Sequence, residues 1–409
     1  MSMKTTYVSD KQSESYSEDL RRELNIFEAT SGIVKCFILA TCAASGFSVA
    51  LLSSVSLHAQ HTQAQIDSVL ANTRWEGMKD IVPKHYIAAH TTGTILIDGR
   101  LDEQSWRDAP WSQPFVDIEG DRKPLPRFQT RMKIIWDDQY LYIAAEMEEP
   151  HLWATLTEKN SVIYQDHDFE VFIDPNADNH NYYEFEVNAF NTIWELRMIR
   201  PYRDGGPNIN PDNTDGVLSV VYLDGSINDP SDIDSGWTVE LAFPWSGFDS
   251  YGTDGAAPTP GDQWRINFSR VQRRLQIVNG EYVSPRRTPP CNWVWSAQGA
   301  IAMHMPERWG FLQFAIRGDR SEVFVPDPTL VARDLLMEIH YLQKAYNKLT
   351  RTYAGVLDEL GLTSVRGDYL IDLWSDGSTF TAMIENSNDA APPAVFYINE
   401  RGHLWRGGL

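Results

Sequence analysis

Cysteine is nearly absent from this chain: three occur in 409 residues, and two of them, Cys36 and Cys42, fall in an N-terminal apolar stretch that leaves Cys291 alone in the remainder. That supply excludes an internal disulfide framework and any zinc site built from clustered thiolates. Basic charge is scarce as well, with 35 Lys and Arg against 56 Asp and Glu and a formal net charge of −21. Nucleic acid and anionic lipid both need a cationic footprint, so neutral ligands or cations are the easier partners. Also missing are a glycine-rich phosphate loop, an HExxH pair, a nucleophile elbow and a Cys/His pairing, which removes the familiar signatures of nucleotide, zinc-protease and acyl-transfer chemistry.

What the chain has in quantity is aromatic surface: 14 Trp, 17 Tyr and 17 Phe. Such wealth suits an all-β core, and it suits a surface that stacks on flat apolar ligands. At roughly 150 residues per domain the length predicts two or three structural units.

Residues 1–59 have the texture of a signal peptide or a membrane anchor. Basic Arg21, Arg22 and Lys35 precede an uncharged, largely apolar run from Cys36 to Leu57, and Leu57-His58-Ala59 before Gln60 is an acceptable cleavage site. Either reading predicts an exported protein, periplasmic, at the cell surface or secreted. Residues 60–84 are polar and are expected to be a linker. From residue 85 to 317, short apolar runs alternate with Gly, Pro, Asn and Asp, the texture of a mainly β domain, here an antiparallel β-sandwich of the immunoglobulin or jelly-roll kind. Two hairpins stand out, Arg131–Trp136 with Leu141–Glu146, and Phe169–Ile173 with Tyr182–Val187. Residues 318–409 read as a helix over Asp327–Leu349 followed by three short strands. Three strands and a helix are marginal alone, so this extension is expected to pack on the sandwich.

Several segments, in order, resemble the family 9 carbohydrate-binding modules, within a wider DOMON-like group. They are Ile97-Asp98-Gly99-Arg100-Leu101-Asp102-Glu103 with Trp106, Trp136-Asp137 with Tyr140-Leu141-Tyr142, and Asp168-Phe169-Glu170-Val171-Phe172-Ile173-Asp174-Pro175. Tyr183 to Asn188, Gly236 to Glu240, Pro244-Trp245, Gly261-Asp262 with Asn267-Phe268 and Arg270, and Pro306 with Trp309-Gly310 complete the series. The resemblance implies a non-catalytic module that binds oligo- or polysaccharide during polysaccharide breakdown or uptake. Such a module needs aromatic plates for the C–H faces of a sugar and fixed polar groups for its hydroxyls. Carried over position by position, it implies Tyr164 as one plate and Trp295, or the neighbouring Trp293, as the other, with Glu170, Asn188, Arg270 and His304 as polar contacts. Two positions depart from the family: Met303 stands where a Trp is expected, and Glu186 replaces a basic residue.

The resemblance requires no cofactor but implies a structural calcium ion, for which Asp174, Asn176 and Asp178 are the candidates. They space oxygens like the opening of a calcium loop, although Asn179 and Phe185 break the EF-hand pattern. Three other readings stay open. A glycoside hydrolase could use the pairs Asp168/Glu170 or Glu184/Glu186, each about 7 Å apart along one strand face. A haem-binding electron carrier of the DOMON-like kind could draw axial ligands from Met198, His167, Met303 and His304. The last is a sandwich whose sugar site has decayed.

Overall fold

The computed structural model describes residues 61–206, 209–211, 214–315, 322–386 and 395–407. The apolar Cys36–Leu57 stretch and its expected cleavage site lie outside the described residues. Among the described residues, no helix is long and apolar enough to cross a membrane. Gln60–Leu409 forms one compact unit.

Its larger part is a mainly β body with, among the described residues, fifteen strands: β1 (His85–His90), β2 (Val116–Asp117), β3 (Thr130–Trp136), β4 (Tyr140–Glu148), β5 (Asp168–Asp174), β6 (Tyr182–Asn188), β7 (Ile193–Met198), β8 (Ile209–Pro211), β9 (Leu218–Asp224), β10 (Gly236–Pro244), β11 (Gln263–Gln272), β12 (Gln276–Val278), β13 (Glu281–Val283), β14 (Cys291–Val294) and β15 (Gly310–Phe314). All but the β12–β13 ribbon join one curled sheet, ordered β8-β7-β6-β5-β11-β15-β1-β3-β4-β10-β9, with β14 and β2 attached beside β11. Strand β1 is the hinge of this path. Its first residues pair with β15 and its last two with β3, both in parallel.

The sheet is therefore mixed, which corrects the expectation of an antiparallel sandwich. Antiparallel pairing holds elsewhere in the path, but alternation of apolar residues reports which side chains face the core and says nothing about the direction of the neighbouring strand. Between the two arms lies an aromatic core. Tyr183 and Phe185 of one arm meet Phe243 of the other edge-on, and Trp245 meets Trp264 at 5.8 Å. Trp136, Trp237, Trp293 and Trp295 are buried in the same cluster.

The Ile97–Glu103 segment is tied to β10 by one carboxylate. Trp106 Nε1 donates to Glu240 Oε1 at 2.7 Å, and the Asp98 and Gly99 backbone N–H groups donate to Oε2 at 3.0 Å. Gly99 takes φ +82°, and a Cβ there would sit 2.8 Å from Tyr222 N.

The segment expected as a linker is structured. Thr62 and Gln65 form a reciprocal capping box that starts a helix at Gln63–Leu70, and a 3-10 turn at Arg74–Gly77 follows. Trp75 of that turn stacks on Tyr341 at 5.7 Å. Tyr341 belongs to the long helix Leu330–Thr350, which precedes an antiparallel sheet of β16 (Val365–Arg366), β17 (Tyr369–Ser375), β18 (Phe380–Asn386), β19 (Val395–Asn399) and β20 (Leu404–Arg406). Leu336, Ile339 and Leu342 bury against Ile371, Ala382, Ile384 and Ile398. The extension docks on the turn after β5: Arg333 donates to the Ala177 carbonyl, and Leu404 N to the Asp178 carbonyl at 3.0 Å.

Glu240→Ala strips the acceptor from three donors at a buried position. We expect a loss of about 3 kcal/mol in urea unfolding, with Glu240→Gln costing less because the amide oxygen keeps part of the arrangement.

Candidate functional site

Strands β5, β6, β7 and β11 turn one face to the core and the other to a second cluster, and their registers fix what that second face carries. Odd-numbered Phe169, Val171, Ile173, Tyr183, Phe185 and Val187 pack inward. Even-numbered Asp168, Glu170, Glu184 and Glu186 must then point the other way. The β5–β6 register sets Glu170 directly opposite Glu186, and Phe172 opposite Glu184. Trp194 of β7 lies beside Glu186, and Ser269 of β11 beside Glu170. Carboxylate oxygens of Asp168, Glu170 and Glu186 all fall within 4.8 Å of one another.

These acids are out of water: Asp168, Glu170, Glu184 and Glu186 are 0%, 5%, 3% and 2% exposed. Burial pushes Glu170 up to about 7. Burial, reinforced by the charge on Glu170, raises the other three well above the usual carboxylate range.

Around this acidic floor is an aromatic rim. Tyr164, half-buried, stacks on Trp194 at 6.4 Å, and its backbone N–H donates to Glu186 Oε2 at 3.0 Å. His304 hydrogen-bonds Tyr182 Oη at 2.9 Å and meets Tyr202 edge-on at 4.5 Å. Burial and the nearby Arg203 push His304 down to about 3, so it is neutral at physiological pH. Met303, Leu196, Met198 and Trp309 fill the rest of the cluster. Flat aromatic surface beside fixed polar groups is what recognition of a sugar ring requires.

Residues 97–270 match the family described as carbohydrate family 9 binding domain-like. The chain is 28% identical over 223 residues to endo-1,4-beta-xylanase A of Thermoanaerobacterium saccharolyticum, covering 54% of this chain and 16% of the xylanase. It is 29% identical over 178 residues to exoglucanase XynX of Acetivibrio thermocellus, covering 43% and 14% respectively. The chain thus spans only a small part of these curated relatives. A family 9 module of Caldicellulosiruptor kristjanssonii in complex with cellotriose aligns at 17% identity and TM-score 0.36, over 60% of this chain and all of that one. A putative carbohydrate-binding protein of Bacteroides uniformis aligns at 16% identity and TM-score 0.44, over 57% of this chain and all of that one.

The six residues expected at the sugar site separate. Tyr164, Glu170 and His304 come together on the second face. Trp295 does not: it is 1% exposed, lies in the aromatic core against Phe268, and packs so closely on Gly310 that a Cβ there would come within 2.3 Å of its ring. Trp194 holds the place beside Tyr164 instead. Its signal was the alternation Trp194, Leu196, Met198 after the second hairpin, which marks another strand continuing the same face.

Asn188 is a turn residue. Its Oδ1 accepts from Phe190 N and Thr192 N at 3.0 Å each, and its Nδ2 donates to the Leu156 carbonyl and Asp166. Arg270 is wholly buried between the arms, donating to Glu149 Oε2 at 3.0 Å, Thr130 Oγ1 at 2.9 Å and the Glu148 carbonyl at 2.9 Å. His167 lies 3.0 Å from the same Glu149, so two of the four haem-ligand candidates, His167 and His304, already have polar partners in the fold. In the turn after β5, Asn176 Nδ2 donates to Asp178 Oδ2 at 2.9 Å, His180 N donates to Asp178 Oδ1 at 2.7 Å, and Asp174 Oδ2 accepts from Asn179 N at 3.0 Å. These bonds close the turn on itself.

Burial alone would raise Glu149, yet His167 and Arg270 beside it hold it down at about 2. A carboxyl depressed from 4.5 contributes stability that is complete above about pH 4.5 and lost as pH falls through about 2. Arg270→Met leaves this carboxylate buried beside His167 without its guanidinium. We expect a loss of about 3–5 kcal/mol in chemical unfolding, with ligand affinity of the folded protein unchanged, because Arg270 faces the seam and not the rim.

Proposed function

We propose that the chain is a non-catalytic saccharide binder whose contact surface is the rim of Tyr164, Trp194 and His304 on the second face of β5, β6 and β7. The observation that supports it most is positional: the family match runs through β5 and β6 and ends at Arg270 on β11, the strands that carry this face. In this reading the ring of Tyr164, backed by Trp194, supplies the plate. Tyr202 and neutral His304 supply a second edge that exchanges hydrogen bonds with hydroxyls. Export, and service to polysaccharide breakdown or uptake, belong to the same proposal, supported by the apolar Cys36–Leu57 stretch and by the modular xylanase and exoglucanase relatives.

A hydrolase reading finds less support in the geometry. Glu170 and Glu186 are close enough to serve as a retaining pair, which needs carboxyl groups about 5–5.5 Å apart. At 5% and 2% exposure they leave no room for a pyranose between them. The relatives' catalytic activities are theirs, since the chain covers at most 16% of the two described above.

A glycan-array screen of the purified protein, followed by titration of the best oligosaccharide, tests the proposal. Saturable binding without turnover is expected, weakened about tenfold in Tyr164→Ala, the size of one aromatic stacking contact. An affinity unchanged in Tyr164→Ala, or no binding to any glycan, contradicts it.

A further inference from the structure

One edge of the rim is built from two turns that lie far apart in sequence, and one side chain ties them together. Tyr202 belongs to the 3-10 turn Tyr202–Asp204, and His304 to the segment that enters the 3-10 turn Pro306–Arg308. On the rim they meet ring to ring, Tyr202 against His304 at 4.5 Å. In the interior, Arg203 makes a two-pronged contact: Nη1 donates to Glu307 Oε1 at 2.7 Å and Nη2 to Glu307 Oε2 at 3.0 Å. Such a fork fixes direction as well as distance, and Glu307 is buried, so water does not loosen it.

The C-terminal extension closes around this contact. From the long helix Leu330–Thr350, Tyr341 Oη donates to Glu307 Oε1 at 2.6 Å and accepts from Arg203 Nη1 at 3.1 Å. From the same helix, His340 and Lys344 reach Asp204 Oδ1 at 3.0 Å and 3.1 Å, while Arg203 Nε donates to Asp204 Oδ2 at 2.9 Å. Burial alone would raise the Asp204 carboxyl, but His340, Arg203 and Lys344 hold it well below the ordinary carboxylate range. Gly402, between β19 and β20, stands so close that a Cβ there would come within 2.9 Å of Asp204 Oδ2. The helix and the hairpin of the extension thus grip the residues next to Tyr202 and the turn that follows His304.

We propose that Arg203 and Asp204 are positioning residues of the saccharide rim, and that the C-terminal extension is a functional part of that site because its long helix holds both. The proposal rests on the saccharide reading above and adds a division of labour to it. Trp194 is fixed by the sheet, and Tyr164 by its backbone bond to Glu186. Tyr202 and His304 stand on turns, whose geometry a sheet register does not dictate, and contact groups keep a productive geometry only when hydrogen bonds around them lock it. The Arg203–Glu307 fork, closed by Tyr341, supplies that lock. The same guanidinium charge adds to burial in keeping His304 neutral, so the contact governs what the imidazole can exchange with a hydroxyl as well as where it stands.

The test compares Tyr341→Phe and Asp204→Asn with wild type in the full chain. Tyr341→Phe is the milder variant, since it removes one hydroxyl from the contact and keeps the ring that stacks on Trp75. Arg366→Ala, which breaks the Arg366–Glu338 pair elsewhere on the extension, is the control. Without saccharide, the NMR signals of the His304 imidazole, assigned with His304→Gln, should move in both variants and stay in place in the control. With the oligosaccharide that binds wild type best, the dissociation constant should rise about fivefold or more in both variants while each still melts cooperatively. A merely structural role would lower the melting midpoint and leave affinity unchanged, and that result overturns the proposal. So do His304 signals unmoved in both variants, or moved equally in the control. These outcomes leave the saccharide reading standing, because Tyr164→Ala tests it separately. Failure of wild type to bind any glycan contradicts that reading and removes this proposal with it.

Discussion

The organisation of this molecule depends on the two-residue period of β5 and β6. Because Phe169, Val171 and Ile173 on one strand and Tyr183, Phe185 and Val187 on the next must bury inward, every even position between them is committed to the opposite face. That single constraint places four acids together, and the register of β5 against β6 sets two of them head to head. A slip by one residue would exchange the core for the acidic floor. The aromatic core between the arms, with Tyr183 and Phe185 seated on Phe243, fixes the register and so also holds the carboxylates in place.

The seam between the arms is held by polar bonds as well as by rings. Glu149, which follows β4, and Arg270 of β11 belong to opposite arms, and their ion pair lies where neither side chain reaches water. Near the rim, a second buried network performs a similar task for the extension: Asp204 accepts from Arg203 at 2.9 Å and lies 3.0 Å from His340, while Arg203 bridges to Glu307. The Tyr202–Asp204 turn, which supplies Tyr202 to the rim, is thus anchored on the long helix. The C-terminal extension therefore bears on the presentation of the rim without contributing to its acidic floor.

Much of this was legible in the sequence. The two hairpins and three of the five described strands of the extension follow from short apolar runs and turn residues. The parallel pairing of β1 was not, because its partners β3 and β15 are distant in sequence and alternation carries no direction. Trp295 was misplaced because a tryptophan near a loop has the same local signature whether it lines a slot or fills a core; only its contact with Phe268 and Gly310 decides. Arg270 and Asn188 matched motif positions yet serve the seam and a turn. The acidic floor was visible only as same-strand pairs, Asp168 with Glu170 and Glu184 with Glu186, which an acidic chain produces by chance. Joining them across strands required the register. The capping box at Thr62 and Gln65 was readable in principle, but the helix it starts has only one buried residue, Leu70, and so little periodicity to reveal it.

The central claim is that the second face of β5, β6 and β7 is where this module meets its ligand. A crystal structure of the protein with the oligosaccharide that binds best tests it most directly. The account predicts a sugar ring lying against Tyr164, with Trp194 behind it and His304 or Tyr202 at its edge. A saccharide seated elsewhere, for example on the exposed Trp374 of the C-terminal sheet with the Tyr164 rim unoccupied, would contradict it.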